Sequence, residues 1–518
     1  MKERALLISR QGLIYLHSSG DGGVASPLYE KNGYLPLNKK LARGAVYRYN
    51  KGMTRLTLLS LALLGGMTAV GQQAEASVAQ SKQTEAALQQ VLDAMVKTND
   101  EDFYEAARVV WEGTADETAF LPMMQAAAKR GNAAAIMWEA MYELTLIGND
   151  DAAYKKVLKQ IELAAKKKYA PAMVALSQLS PKESSDEAKK WLMEACKSGN
   201  SKARALYLLQ SGRLNPDKLS APEVASELKK GNHYLEELVA SAQSTEADAV
   251  KWMLLAESHG SPTAPYLLSQ AATKVDEALK HLLTAVERHN VMALYLYGVL
   301  LHRADTLDVA LKMGLKKDNA TARKHLAIAA MLLSPDAAAT LGRAYANGDM
   351  PAVPAERICR LFEYAHRCGV NEGSAGLGYC MVMGAGCPRN EEKGMELMLK
   401  ARDSGALWVN QALASIYFNG AGSIKPNMRK ALDALAADAA AGSVYAYAMM
   451  AGLSALGNAD AKPDTTAAQV YMKFALTPNP RVDIETNKRV AEQSKKTYDA
   501  ILTSKTWVFF PALLKSAE

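Results

Sequence analysis

One pattern returns along most of this chain, and it limits the fold more than any other feature. A small or apolar residue is followed by a bulky one at +3, a small Ala at +7 and often a Gly at +11. The sharpest copies are Ala188/Trp191/Ala195/Gly199 and Ala249/Trp252/Ala256/Gly260. Others run from Phe120, Leu158, Ala278, Ala322, Ile358, Gly394, Ala431 and Ala468; in the Ala431 copy the small Ala is shifted by one, to Ala439. From Ala322 onward the copies recur every 36 or 37 residues. Spacings of three, four and seven residues place these side chains on one helical face. Gly at +11 is where such a helix ends, because Gly readily takes the left-handed conformation of a C-terminal cap.

This helix, B, follows a second one, A, with its own signature: Ala338, Leu341, Gly342, Tyr345, Gly348. It repeats as Ser374, Leu377, Gly378, Met381, Gly384 and as Asn410, Leu413, Ala414, Tyr417, Gly420. Gly342, Gly378 and Ala414 leave room for a neighbouring helix to approach. A lone helix pair cannot bury its apolar face, so the pairs must stack. The fold class expected is therefore all-α, a right-handed α-solenoid of stacked helix-turn-helix repeats. In place of the long gap between Ala188 and Ala249, a degenerate unit is expected over Ser220–Ala242, opened by a capping box at Ser220-Ala221-Pro222-Glu223.

The pair small-x-x-Leu-Gly-x-x-Tyr-x-x-Gly and Ala-x-x-Trp-x-x-x-Ala-x-x-x-Gly resembles the Sel1-like repeat family, relatives of tetratricopeptide repeats. The resemblance covers roughly residues 100–480 and is tight over 320–457. It implies a scaffold that binds a protein or peptide along its concave face. Helix A residues outside the packing stripe would line that face, with Arg343, Tyr379, Trp408, Tyr445 and Tyr447 as candidates, since aromatics and Arg dominate interface energetics.

Charge separates the beginning of the chain from the rest. Residues 1–76 hold ten basic residues against four acids; the remaining 442 hold 51 against 50. Without a concentrated basic patch on the repeats, nucleic acid is a poor partner. From Met53 the sequence has the form of an export signal: Arg55, then an apolar stretch from Leu56 to Gly71, then Ala74-Glu75-Ala76. As a helix that stretch would be about 24 Å long, short of a hydrocarbon core of about 30 Å. Cleavage between Ala76 and Ser77 is expected, giving an exported protein, periplasmic or secreted, with no stable membrane span in the mature chain. A cytoplasmic adaptor is the alternative if the signal is not used. The expected organisation is an upstream extension over 1–52, a signal peptide over 53–76, N-terminal cap helices over 77–118, repeats over 119–480, and a cap helix with an apolar tail over 481–518.

Sites of chemistry are few. The sequence has no zinc-protease helix, no paired Cys-x-x-Cys and no phosphate loop, and it calls for no cofactor or metal. Glu363-x-x-His366 lacks the second motif that a dimetal bundle needs. His281 and His325 stand at +3 positions as packing residues. Ser226-x-x-Lys229 matches the nucleophile motif of penicillin-recognising enzymes, without its partner motifs. It carries the alternative reading, a cell-envelope enzyme acting on β-lactam or peptidoglycan-related substrates. Four of the five Cys (Cys359, Cys368, Cys380 and Cys387) fall within 29 residues, and an oxidising compartment would permit a disulfide among them. A hairpin near residues 370–372 favours Cys380 or Cys387 as the partner of Cys359, and Cys196 should stay free. Trp507-Val508-Phe509-Phe510 needs covering, and the last helix pair, near Tyr471 and Phe474, is the expected place.

Overall fold

A computed structural model describes residues 103–147, 150–180, 185–215, 219–406, 408–478, 484–504 and 507–515. The extension, the signal region with Ala76 and Ser77, and the first part of the expected N-terminal cap lie outside the described residues. Among those described there are 25 α-helices and no β-strand; one isolated bridge joins Ala421 and Ile424. They form two compact units, one ending at Ala271 and one starting at Ala272, with the short turn Glu287–His289 grouped with the first.

The first unit contains α1 (Tyr104–Thr114), α2 (Phe120–Lys129), α3 (Ala133–Leu146), α4 (Asp151–Lys166), α5 (Ala170–Leu179), α6 (Ser185–Lys197), α7 (Ser201–Gln210), α8 (Pro222–Lys229), α9 (His233–Ser241), α10 (Glu246–Ser258) and α11 (Thr263–Ala271). The second contains α12 (Val275–Glu287), α13 (Val291–His302), α14 (Asp308–Lys312), α15 (Asn319–Met331), α16 (Pro335–Asn347), α17 (Ala355–Arg367), α18 (Asn371–Met383), α19 (Glu391–Asp403), α20 (Val409–Asn419), α21 (Met428–Ala440), α22 (Val444–Leu456), α23 (Thr465–Ala475), α24 (Ile484–Ser504) and α25 (Pro511–Lys515). Within each unit most consecutive helices pack against one another, while α13 packs on α15 past the short α14 and α24 packs on α22.

The turn from each helix B to the next helix A is built from two residue types. A left-handed residue ends B, and in most of these turns a polar one caps A; Tyr169, Val370 and Trp408 precede α5, α18 and α20 without a side-chain cap bond. Gly131, Gly199, Gly260, Gly369, Gly405 and Gly442 take φ between +83° and +94°. Where the sequence lacks Gly, the backbone keeps the same conformation: Lys168, His289 and Leu333 have φ of 67°, 62° and 69°. The capping residue accepts a backbone amide three residues on, as in Asn132 from Ala135 at 2.9 Å, Asn200 from Ala203 at 2.8 Å and Asn290 from Ala293 at 3.0 Å. These bonds satisfy amides that the first turn leaves without intrahelical partners.

Every Ala of the +7 position is buried: Ala127, Ala165, Ala195 and Ala256 in the first unit; Ala285, Ala329, Ala365, Ala401, Ala439 and Ala475 in the second. The +3 residues His281 and His325 are half-buried, and His325 meets Tyr297 edge-on at 5.6 Å. The small residues of helix A serve close crossings. A Cβ on Gly378 would lie 2.6 Å from the carbonyl oxygen of Gly394, and one on Gly394 equally close to that of Gly378, so α18 and α19 touch backbone to backbone. The degenerate unit is the short pair α8 and α9. Its capping box is a correction: Ala221, not Ser220, precedes the first turn, with no side-chain cap, and Glu223 pairs with Arg213 instead. Pro222 at the first helical position needs no amide acceptor, which removes part of the need for a cap.

An aromatic groove filled by the chain's own tail

Helices α16, α18, α20 and α22 are the A helices of successive repeats in the second unit. The apolar tail lies against this series and not on Tyr471 and Phe474 alone, which corrects the expectation for residues 507–514. Trp507 does rest on the last repeats, in a cluster that includes Tyr471, Tyr447 and Ile501. Beyond it the chain turns back across earlier helices. Phe509 stacks on Trp408 with ring centroids 5.4 Å apart. Phe510 meets Tyr379 edge-on at 5.0 Å, Trp408 at 5.3 Å and Phe362 at 6.0 Å. The helix α25 then packs on α16 and α17, with Ala512 against Gly348. Phe510 and Leu513 are each 0% exposed.

Polar contacts hold the main chain of the tail. Ser415 Oγ donates to the carbonyl oxygen of Trp507 at 3.1 Å, and Asn419 Nδ2 donates to the same oxygen at 2.5 Å. The amide of Phe509 donates to Ser415 Oγ at 3.1 Å. Burial pushes the Tyr379 phenol up to about 12, against the pull of the Ser415 hydroxyl and of the Phe510 and Phe509 main chain beside its oxygen. A protonated phenol, a serine and an asparagine make a polar rail along an aromatic floor.

The five candidate residues divide. Tyr379 and Trp408, 1% and 4% exposed, form the floor under the tail and are closed to any other molecule while it is in place. Arg343 is half-buried on α16 among Tyr295, Glu372 and Asp349. Burial and the neighbouring Glu372 hold the Asp336 carboxyl up at about 6, and burial pushes Tyr295 to about 12. The aromatic floor thus continues on α16 and α18 into a region of mixed charge. Tyr445 and Tyr447 are half-buried on α22; Tyr447 stacks on Phe474 at 5.3 Å, and Phe474 remains 52% exposed. The long helix α24 packs on α22, and its Arg489 pairs with Asp308 of α14. Sequence reasoning did not single out Phe362, Ser415 and Asn419. The i, i+4 pairing of Ser415 and Asn419 on an otherwise apolar helix is the signal that could have found the last two.

The remaining chemistry-bearing residues are scattered. Ser226 and Lys229 are both exposed on α8. His366 Nδ1 lies 2.8 Å from Ser374 Oγ, and no cluster of metal-binding type occurs among the described residues. Cys359 lies within thiol hydrogen-bonding reach of both Cys380 and Cys387; the Cys380 thiol and burial raise its pKa, against the Cys387 thiol, which lowers it. Cys368 is buried, and Cys196 is a half-buried thiol of the first unit. No helix among the described residues is long and apolar enough to cross a membrane.

The family model for the Sel1 repeat matches residues 291–332, 372–405 and 411–433. These segments cover α13 to α15, α18 with α19, and most of α20 with the start of α21. At these three segments the chain carries Sel1 repeats. Tyr379, Ser415 and Asn419 of the groove thus lie within matched Sel1 segments, and Trp408 between two of them. No curated protein matches the chain significantly. Among solved structures, a protective antigen of uropathogenic Escherichia coli strains displaying an SLR fold is similar at 16% identity, over 83% of this chain and 96% of that one, with a TM-score of 0.37. A Sel1 repeat protein from Oxalobacter formigenes is similar at 20% identity, over 56% and 87%, with a TM-score of 0.33.

Proposed function

We propose that this Sel1-repeat chain is a non-catalytic scaffold of the cell envelope that holds a protein or peptide partner on the A helices of its second unit. The observation that carries the reading is the groove itself. An apolar peptide segment is already seated there, on Tyr379 and Trp408, with its main chain held by Ser415 and Asn419. A surface that holds one extended segment by ring stacking and main-chain bonds has the chemistry of peptide recognition. Tyr445, Tyr447 and Arg343 would extend the contact on either side of the tail. The enzyme alternative finds no support at Ser226 and Lys229, since an exposed serine and lysine lack the desolvation and partner groups that activate such a nucleophile.

Export is part of the same proposal and rests on Arg55, the apolar stretch and Ala74-Glu75-Ala76. Cleavage would begin the mature protein at Ser77, and the oxidising compartment would allow Cys359 and one of the two thiols beside it to lose two protons and two electrons to a thiol oxidase, forming one disulfide. N-terminal sequencing of cell-derived protein should return Ser77 as the first residue; recovery of Met53 or anything before it overturns export. For the scaffold role, a photo-crosslinking residue is placed at Tyr445 or Tyr447 and, as a control, at Lys251. Adducts to one protein from the α22 positions, absent from Lys251, are expected. No adduct from α22 removes the scaffold reading.

A further inference from the structure

The tail of the second unit is held as a ligand is held. Its side-chain anchors are two adjacent aromatic residues, Phe509 on Trp408 and Phe510 among Phe362, Tyr379 and Trp408. Polar contacts reach its main chain: Ser415 and Asn419 hold the Trp507 carbonyl, Ser415 accepts the Phe509 amide, and the Tyr379 phenol lies against the main chain of Phe509 and Phe510. Main-chain bonds of that kind accept any residue at those positions, so the groove's selectivity lies in the two rings. Pro511 follows them and starts α25. Residues 507–510 are not helical, and they follow the last repeat, so no helix pair loses a member if they leave.

The fit in cis is also incomplete. Trp408 Nε1 is buried and has no acceptor among the described residues. A buried donor without an acceptor is a standing cost of the occupied state. A segment of related sequence that brings an acceptor to this nitrogen would bind better than the tail does. The advantage of the tail is its tether, which holds it near the groove at a high effective concentration.

We propose that this groove is a docking site for an apolar segment of a partner protein in which two adjacent aromatic residues precede a proline, and that residues 507–515 fill it in cis until that segment displaces them. The proposal rests on the reading that the chain holds a protein partner and names what that partner presents. Occupation in cis lowers the apparent affinity for the partner by the fraction of molecules whose groove is open.

The test uses the full chain and a fluorescein-labelled peptide of residues 507–515. The chain carrying Phe509→Ala with Phe510→Ala should bind the peptide on the order of 100-fold more tightly than the unsubstituted chain, because the tethered competitor has lost its anchors. A peptide with both Phe replaced by Ala should bind neither chain. Saturating peptide should also raise chymotryptic cleavage after Trp507 or Phe509 in the unsubstituted chain, showing displacement. Failure of a folded double variant to bind the peptide overturns the proposal. If the double variant is unstable, the peptide should raise its melting temperature with dose, and no rise overturns the proposal equally. Exchange of tails between two unsubstituted copies, seen as a dimer that the peptide dissociates, overturns the assignment to a partner in favour of a second copy. The two readings separate cleanly. Crosslinks at Tyr445 or Tyr447 without peptide binding leave the scaffold standing and remove this inference, whereas peptide binding without any crosslinked partner removes both and makes the tail a strap.

Discussion

A single backbone conformation at the end of each helix B explains why Gly recurs where it does and what it costs when it is missing. Lys168 holds φ of 67° on an exposed site, where a Cβ brings strain and no packing in return. Lys168→Gly should therefore stabilise the first unit by about 1 kcal/mol, and Gly405→Ala, with φ of 90° and open space around it, should cost about as much. Denaturant midpoints read both; a loss from Lys168→Gly or a gain from Gly405→Ala would mean that packing and not φ selects Gly. Titratable residues act at the same scale. Burial lowers His233 and His325 to about 4 from an ordinary value near 6.5. Between those values the unfolded chain binds protons that the folded one refuses, so stability falls as pH drops from about 6.5 towards 4. Asp336, raised to about 6, works in the opposite sense over an overlapping range, binding a proton in the folded state first. His325→Phe should flatten the loss of melting temperature between pH 7 and pH 4.5. An unchanged slope would remove His325 from the acid response.

At the scale of the element, the repeat works by keeping helices close. Ala256 is wholly buried at the +7 position of α10, while Glu257 beside it is only half-buried. Ala256→Leu should cost about 1–3 kcal/mol by overfilling, and Glu257→Leu should change the melting temperature little. Equal effects would put the helical phase in error. The α18–α19 crossing is tighter still, since Gly378→Ala drives a methyl into the Gly394 carbonyl and Met398. That close pairing also sets the cysteines, for α17, α18 and the loop before α19 bring Cys359 to Cys380 and Cys387. In protein purified from an oxidising compartment, mass spectrometry without reductant should find Cys359 bridged to one of the two. Closing a loop of that length stabilises by about 3–4 kcal/mol in the chain-entropy account. Reduced thiols throughout would refute it.

For the second unit as a whole, the question is what holds its C-terminal segment in place. Two ties compete in size. The Arg489–Asp308 pair is a third or more exposed on both sides, and pairs of that kind contribute about 0–1 kcal/mol. Phe510 is wholly buried among three rings, and truncating such a residue costs about 3–5 kcal/mol. Phe510→Ala should therefore release the tail to chymotrypsin while leaving helix content intact, and Arg489→Ala should do neither. Release by Arg489→Ala would place the hold on α24 instead.

Helices, their pairing and their register were legible in the residues, because the 3-4-7 spacing, the buried Ala and the left-handed turn are local and repeat. The thiol neighbourhood of Cys359 was legible too, since it follows from one hairpin. The resting place of Phe509 and Phe510 was not. Their apolar character demands cover, and sequence supplies the demand without the address. Tyr379 and Trp408 read the same way from their spacing, whether they face a partner or a core. Only the tertiary structure brings residue 510 to residues 362, 379 and 408, across contacts more than a hundred positions apart. Burial is indifferent to sequence distance, and no periodicity along the chain encodes which of several apolar faces a terminal segment will choose.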